Sequence, residues 1–400
     1  MKRGMPIALG LLAFLGLVSA LLAPLVVASA PAQTPAPPPL AADQLVTGNT
    51  YRVAGRDPYE TAVAIAQMIY PANREADQPT AVILVRPDDE ASLFAAVPMI
   101  HHPIDAPILF VDADRLPPVT AAALERFKPH GNAFDRKVTA YAMGAIDDAV
   151  IRDVEQLGYA VRRIRGPTDS PADLARAVDD YRGEIHALHP PTVVVASLDG
   201  LDDALPALAF IAHMPTGYVY VTRDTIPSTT RAELKERFMG AYLYLMGPSS
   251  VISDQVAADL GQYGHVVRLG APDPYAESVL FAGFRDSGQW LGWWIGRTPR
   301  DFGWGIAEPG HNFTFVNPAD WPEAAPAAIF SHRGEHGPML LVQADQVPAP
   351  VARYLTQTVK PSRGAVDDQL FNHGQIIGTT RAIDEAVQAE LDADLSVAGP

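Results

Sequence analysis

The chain has 400 residues, a hydrophobic fraction of 48%, a formal net charge of −16 and no cysteine. That length predicts two to four structural units, and the apolar fraction is enough to bury real cores. No segment accumulates basic residues, which excludes an electrostatic footprint for nucleic acid, and the missing cysteines exclude disulfides, thiolate metal sites, a cysteine nucleophile and a lipoprotein anchor.

Residues 1–32 read as a targeting segment. Lys2 and Arg3 form a charged start, Met5 to Ala30 carry no charge, and Ala30 and Ala32 suit a small-x-small cleavage site before Gln33. The apolar stretch is also long enough to stay as a membrane anchor, since about 20 residues span a bilayer. Either way the rest is exported, and membrane contact is expected only through this segment. Removing residues 1–44 takes away Lys2, Arg3 and Asp43 and moves the net charge from −16 to −17. Residues 33–48, entered through PAQTPAPPPL, read as a proline-rich linker rising about 3 Å per residue.

RVAGRDPYETAVAIA at 52–66 returns without a gap as RLGAPDPYAESVLFA at 268–282. The shared feature is a helix start. Asp57-Pro58-Tyr59-Glu60 offers an N-cap acid, a proline with pre-set φ and an acid at the third helical position. Ser170-Pro171-Ala172-Asp173 repeats this logic, and Asp273-Pro274-Tyr275-Ala276 does so with Glu277 one position late. Asp57, Ser170 and Asp273 are therefore expected to be caps rather than catalysts. A β-rich stretch precedes each start, and each carries an arginine: Arg52, Arg163 and Arg268. These arginines read either as anion-binding corners at repeat interfaces or as strand-end residues paired with a nearby acid.

The rest of each unit repeats too. Continuous apolar runs at 81–85, 192–196 and 312–316 suit strands of a parallel sheet covered on both faces. An acid-rich loop, an alanine-rich helix and a second strand follow (APILFV, TGYVYV, GPMLLV). Then come a turn marked by Pro117, Pro227 and Pro348, a helix, a strand ending in Met-Gly or Ile-Gly, and a closing helix. Strands alternating with helices imply an α/β fold with a doubly wound parallel sheet in each unit.

These motifs resemble those of the cell wall-binding repeat 2 family of bacterial surface proteins. GRDPYETAVAIA, DDEASLFAA, PILF and MGAIDDAV carry the resemblance most closely. The resemblance implies three tandem Rossmann-like parallel-sheet repeats in a pseudo-threefold block, placed here at 49–163, 164–267 and 268–395. It implies non-covalent attachment to a cell-wall polysaccharide or teichoic acid-like secondary wall polymer. It also nominates the strand Pro107, Ile108, Leu109 and Phe110 and its third copy, Pro338, Met339, Leu340 and Leu341. The second copy departs from the motif, with GYVY at Gly217–Tyr220.

Acidic loops follow the first strand of each unit, at Asp88 and Asp89, at Asp199, Asp202 and Asp203, and at Asn317 to Asp320. Ligands of open α/β sheets bind at such strand ends, so these residues suit Ca²⁺ or sugar hydroxyls, or else cap the next helix. No glycine-rich phosphate fingerprint accompanies them, so no cofactor is expected. Histidines close the alanine-rich helix in every unit: His101 and His102, His213, and His332 with His336 beyond. A threefold block brings such residues together as a metal site, but helix dipoles explain them without one, and no metal is expected.

All five tryptophans lie in the third unit, four of them in the connection 286–312. Trp290, Trp293 and Trp294 have near-helical spacing and read as core or subunit packing; Trp293 and Trp304 are also candidates for sugar stacking or a protein partner. No Gly-x-Ser-x-Gly or His-Glu-x-x-His motif is present, and Ser249 and Ser250 have no evident base, so no enzyme is expected. The expected protein is a secreted or cell-surface, wall-associated binder that gains avidity from three related grooves. A structural or partner-binding role through the tryptophan-rich insertion is the alternative.

Overall fold

The computed structural model describes residues 46–398 except 133, 136, 187, 188, 238, 239, 293–295, 334 and 364–369. The targeting segment and residues 33–45 of the linker lie outside the described residues. Among the described residues no helix is long and apolar enough to cross a membrane.

In chain order the first elements are β1 (Thr50–Val53), α1 (Pro58–Ile69), β2 (Val82–Val85), α2 (Glu90–Ala96), β3 (Ile108–Phe110), α3 (Pro118–Phe127), β4 (Ala140–Met143), α4 (Asp148–Gln156) and β5 (Val161–Ile164). The pattern returns as α5 (Pro171–His186), β6 (Thr192–Ser197), α6 (Leu205–His213), β7 (Gly217–Val221), α7 (Ser228–Glu236), β8 (Ala241–Met246), α8 (Asp254–Leu260) and β9 (Gly264–Leu269). The last part holds α9 (Pro274–Gly283), β10 (Asp286–Gly292), β11 (Gly296–Phe302), β12 (Asn312–Val316), α10 (Trp321–Ala327), α11 (Ile329–His332), β13 (Met339–Leu341), α12 (Ala349–Arg353), β14 (His373–Ile377) and α13 (Glu385–Leu395).

Three four-stranded parallel sheets result, in the equivalent orders β3-β2-β4-β5, β7-β6-β8-β9 and β13-β12-β14-β1. The central strands β2 and β6 are buried throughout. Both faces are covered by helices, which is why these strands read as unbroken apolar runs. The caps form as the helix starts require. Asp57 accepts from the amide of Glu60 at 2.9 Å, Ser170 from Asp173 at 3.2 Å and Asp273 from Ala276 at 2.8 Å. The glycine after each third strand, Gly144, Gly247 and Gly378, has a left-handed φ of +77°, +107° and +96°. A β-carbon there is strained, so the Met-Gly and Ile-Gly signatures mark real turns.

The fourth strand of the third sheet does not follow the third strand in sequence. It is β1, from the other end of the folded chain, in parallel register from Thr50 opposite Gly374 to Val53 opposite Ile377. An unpaired β14 would present a bare row of amides and carbonyls. β1 covers that edge, and α13 fastens it: Asp392 Oδ1 accepts from the amide of Asn49 at 2.6 Å, and Asn49 Nδ2 donates to Ser396 Oγ at 3.1 Å. The stretch that opens the sequence pattern at residues 50–53 therefore completes the last sheet.

The alanine-rich helices meet in the interior. Every residue from Leu205 to Ala212 of α6 is buried, as are Ala324, Ala325 and Ala327 of α10 and Leu93 to Ala96 of α2. A helix apolar all round belongs inside a core, and its small residues let neighbours approach closely.

At Trp290 the tryptophan-rich insertion departs from the helical expectation. β10 and β11 form an antiparallel hairpin, with Trp290 opposite Thr298. The insertion has glycines at 288, 292 and 296, each costing a helix about 1 kcal/mol, while Trp, Ile and Thr favour strands. Trp293 and Trp294 lie outside the described residues.

Candidate functional site

The three recurrent arginines sit at equivalent places, each reaching from the fourth strand of a sheet to the start of that sheet's closing helix. Arg163 pairs with Asp148 at 2.8 Å, and Arg268 pairs with Asp254 at 3.2 Å and donates to the Gly247 carbonyl at 3.1 Å. Arg52 does the same job with its donors fully enclosed. It is 1% exposed and donates to the carbonyls of Gly378 at 2.8 Å and Thr379 at 3.0 Å and to Gln388 Oε1 at 3.1 Å. Burial lowers its pKa, partly offset by Glu385 and Asp384. As a polymer-binding candidate Arg52 is corrected: solvent does not reach its charge. Arg163 and Arg268 are the strand-end residues with a paired acid.

The strand motif is corrected in the same way. Pro107, Ile108, Leu109, Phe110, Pro338, Met339, Leu340 and Leu341 are all buried. Their apolar pattern is the pattern of a covered parallel strand, and a polymer at the surface cannot touch them. The acidic loops divide their work. Asp89 caps α2 by accepting from Ser92 at 3.1 Å, and Asp88 pairs with Arg86 at 2.7 Å. Asp199 accepts from the Arg223 amide at 2.7 Å, tying two loops together. Asp202 is exposed at its edge, and partial desolvation of its carboxyl by the surrounding protein raises its pKa.

A cavity of about 400 Å³ lies where the loop after β5 meets α5 and α7. Arg165 and Gly166 line it from the loop, Asp173, Arg176 and Asp180 from α5, and Ser228, Thr229 and Ala232 from α7. Arg165 is exposed, donates to the Ile146 carbonyl at 3.2 Å and forms no ion pair among the described residues. A smaller cavity beside it shares Arg165 and Gly166 and adds Asp89, Ser92 and Gly144. Asp89 is therefore the one sequence-nominated site residue that borders these cavities. Sequence reasoning passed over Arg165, Arg176, Ser228 and Thr229; the signal available was RRIR at 162–165, a local basic run in an acidic chain.

Two sets of titratable groups mark the contacts between units. Burial pushes Glu90 up to about 7, Asp203 up to about 6, Glu277 up to about 8 and Glu323 up to about 7. Glu323 on α10 accepts from Thr61 Oγ1 on α1 at 2.9 Å, and Glu277 accepts from the Ala271 amide at 2.6 Å. The helix-end histidines do gather, in two pairs. The rings of His101 and His332 are 5.4 Å apart, and those of His213 and His336 are 4.7 Å apart. His332 Nε2 is 2.6 Å from Asp105, which His102 also contacts at 3.0 Å. Burial lowers His101 to about 3 and His213 to about 4, reinforced by neighbouring cations and histidines. Trp304 stacks on His213 at 5.4 Å and lies edge-on to Phe210, so its ring is used inside the fold.

No protein-family model matches the sequence, and no curated protein matches it significantly. Among solved structures the chain is similar to Cwp6 from Clostridium difficile, with a TM-score of 0.66 and 16% identity over 87% of this chain and 48% of that one. It is also similar to Cwp8 from Clostridium difficile, with a TM-score of 0.67 and 15% identity over 87% of this chain and 52% of that one. The chain thus spans about half the length of each. At such identity the likeness is one of architecture: this chain has the repeated Rossmann-like parallel-sheet fold of Cwp6 and Cwp8.

Proposed function

We propose that this chain is a non-catalytic protein of the bacterial cell envelope, built from three cell wall-binding repeats, that holds a wall polysaccharide in the groove between α5, α7 and the loop after β5. The observation that carries the reading is the lining of that groove. Arg165 and Arg176 alternate with Asp173, Asp180, Ser228 and Thr229 over about 400 Å³. Charges of both signs interleaved with hydroxyls suit the dense hydroxyls of a sugar chain. The balance also favours a neutral or zwitterionic polysaccharide over a strongly anionic teichoic acid-like polymer, because a chain of net charge −16 repels a polyanion beyond the Debye length of about 8 Å. The architecture shared with two cell wall proteins supports a location at the wall.

Co-sedimentation tests the reading. The purified protein is expected to pellet with native walls and to stay in solution with walls stripped of secondary polymers. Arg165→Ala, which breaks no ion pair, is expected to weaken pelleting several-fold. Equal failure to pellet with both wall preparations sinks the proposal.

The hairpin β10–β11 favours a second reading, a surface that docks a protein partner. Among the described residues neither β10 nor β11 pairs with a strand of the three parallel sheets, which makes their outer edges candidates for strand addition. Deleting residues 288–300 leaves wall pelleting intact if the groove binds, and abolishes partner capture if the hairpin does.

A further inference from the structure

We infer that Asp180, His189 and Glu236 form a binding site for a divalent transition-metal ion of the zinc class. Asp180 is on α5, His189 precedes β6 and Glu236 ends α7, yet one ligand atom from each lies within 4.8 Å of the others. A tetrahedral zinc ion with bonds of about 2 Å holds its ligand atoms about 3.4 Å apart. The side chains of Asp180 and Glu236 are 43% and 48% exposed, which leaves both carboxylates room to turn towards an ion.

The surroundings of His189 are those of a metal ligand. Its Nδ1 is 2.7 Å from Oδ2 of Asp179, which is 2% exposed. Asp179 is held in turn by Arg237 Nη2 at 2.9 Å. With Nδ1–H donating to this carboxylate, the Nε2 lone pair is left for a metal ion and the ring is fixed, the arrangement by which proteins orient metal-binding imidazoles. The ring rests on α5 at Gly183, where a β-carbon would lie 2.8 Å from Cε1. A helix-interior glycine costs about 1 kcal/mol against alanine, and here it makes room for the imidazole. Between the two ligand carboxylates stands a cation: Arg176 bonds Asp180 at 3.3 Å and also Glu236. Arg176 lines the adjacent cavity of about 400 Å³, so it has space to turn into when an ion takes its place. Histidine with two carboxylates suits zinc or a neighbouring first-row ion better than Ca²⁺ or Mg²⁺, which take oxygen donors.

The test is equilibrium dialysis of the purified full-length chain against ZnCl2, with elemental analysis and a competing chelator. One zinc per chain is expected, with uptake that falls at acid pH and releases a proton on binding. Glu236→Gln, whose side chain is exposed and partnered by Arg176, keeps the fold by circular dichroism and is expected to lose at least tenfold in affinity, as is His189→Gln. Arg176→Ala removes the competing cation and is expected to bind zinc more tightly, while His213→Phe leaves the stoichiometry unchanged. No stoichiometric zinc, uptake equal in the parent and Glu236→Gln, or weaker uptake in Arg176→Ala overturns the assignment.

Discussion

Arg52 and Gln388 are 336 positions apart in the chain, and Arg52 Nε donates to Gln388 Oε1 over 3.1 Å. The bond locks β1 to α13 and so joins the two ends of the folded region. Arg163 and Arg268, at the equivalent places, reach acids only 15 and 14 positions away, Asp148 and Asp254. The same local pattern thus performs a local contact twice and a chain-closing contact once.

Arg52→Met removes the side-chain donor from the Gly378 carbonyl and from Gln388 Oε1 in the interior, while the Thr379 carbonyl keeps the amides of Ala382 and Ile383. Unsatisfied buried acceptors cost about 1–3 kcal/mol each, so a loss of about 3 kcal/mol or more is expected by urea unfolding. Arg163→Ala breaks a pair whose acid is 81% exposed, and a loss within about 1 kcal/mol is expected. Similar losses for the two variants refute the closing role of Arg52.

The closure also predicts that the chain tolerates circular permutation. Asn49 Nδ2 donates to the Asp392 carbonyl at 3.1 Å, so the two ends of the folded region meet and a linker from Ala398 to Val46 is expected to close the chain. New termini in the exposed loop 167–170 are expected to leave a cooperatively melting protein with parent-like circular dichroism. Loss of the cooperative melt in that permutant argues against an edge held by β1.

Glu277 makes the contact between the second and third units pH-sensitive on the alkaline side. Burial raises its folded pKa from 4.5 to about 8, with Asp203 adding to the shift. The folded state therefore holds the proton longer than the unfolded chain. The contribution of Glu277 is complete below pH 4.5 and is lost as pH rises towards 8. Glu277→Gln keeps an acceptor for the Ala271 amide and never ionises. Its stability relative to the parent is expected to grow between pH 4.5 and 8, and a pH-independent difference in melting temperature would exclude the assignment.

His213 works in the opposite direction. Its folded pKa is lowered from 6.5 to about 4 by burial and by His336 and His332 facing it. Its contribution is complete above pH 6.5 and is lost as pH falls towards 4, because the unfolded chain takes the proton first. His213→Phe retains an aromatic face for Trp304. The variant is expected to resist acid better than the parent over that window, read from chemical denaturation at pH 4.5 and 7.

Leu109 separates packing from binding. It is 0% exposed, and Leu109→Ala is expected to cost about 2–5 kcal/mol through the lost methyls and the cavity left. At a temperature where the variant is folded, its pelleting with walls is expected to match the parent. A binding loss in the folded variant instead places the strand motif in the polymer contact.

Much of this architecture is legible residue by residue. The caps at Asp57, Ser170 and Asp273 follow from an oxygen-bearing side chain before a proline, and both act within one helical turn. The runs at 81–85 and 192–196 read as covered strands, and they lie at the centres of their sheets. The site is less legible. Arg165 and Arg176 have no motif around them, and His189 finds Asp180 and Glu236 only after α5 and α7 pack side by side.

By itself, then, the sequence determined the helix starts at Asp57, Ser170 and Asp273, the alternation of strands with helices and a parallel sheet in each unit, because caps, turn glycines and apolar runs act over a few residues. Tertiary structure alone decided that β1 completes the third sheet, that Arg52 is buried while Arg163 and Arg268 keep partial access to solvent, and that the tryptophan-rich insertion is a hairpin. A strand's own pattern is the same whichever edge it pairs with, and an arginine's charge is the same whether it meets water or three carbonyls. Those outcomes depend on which partners the fold brings within about 3 Å.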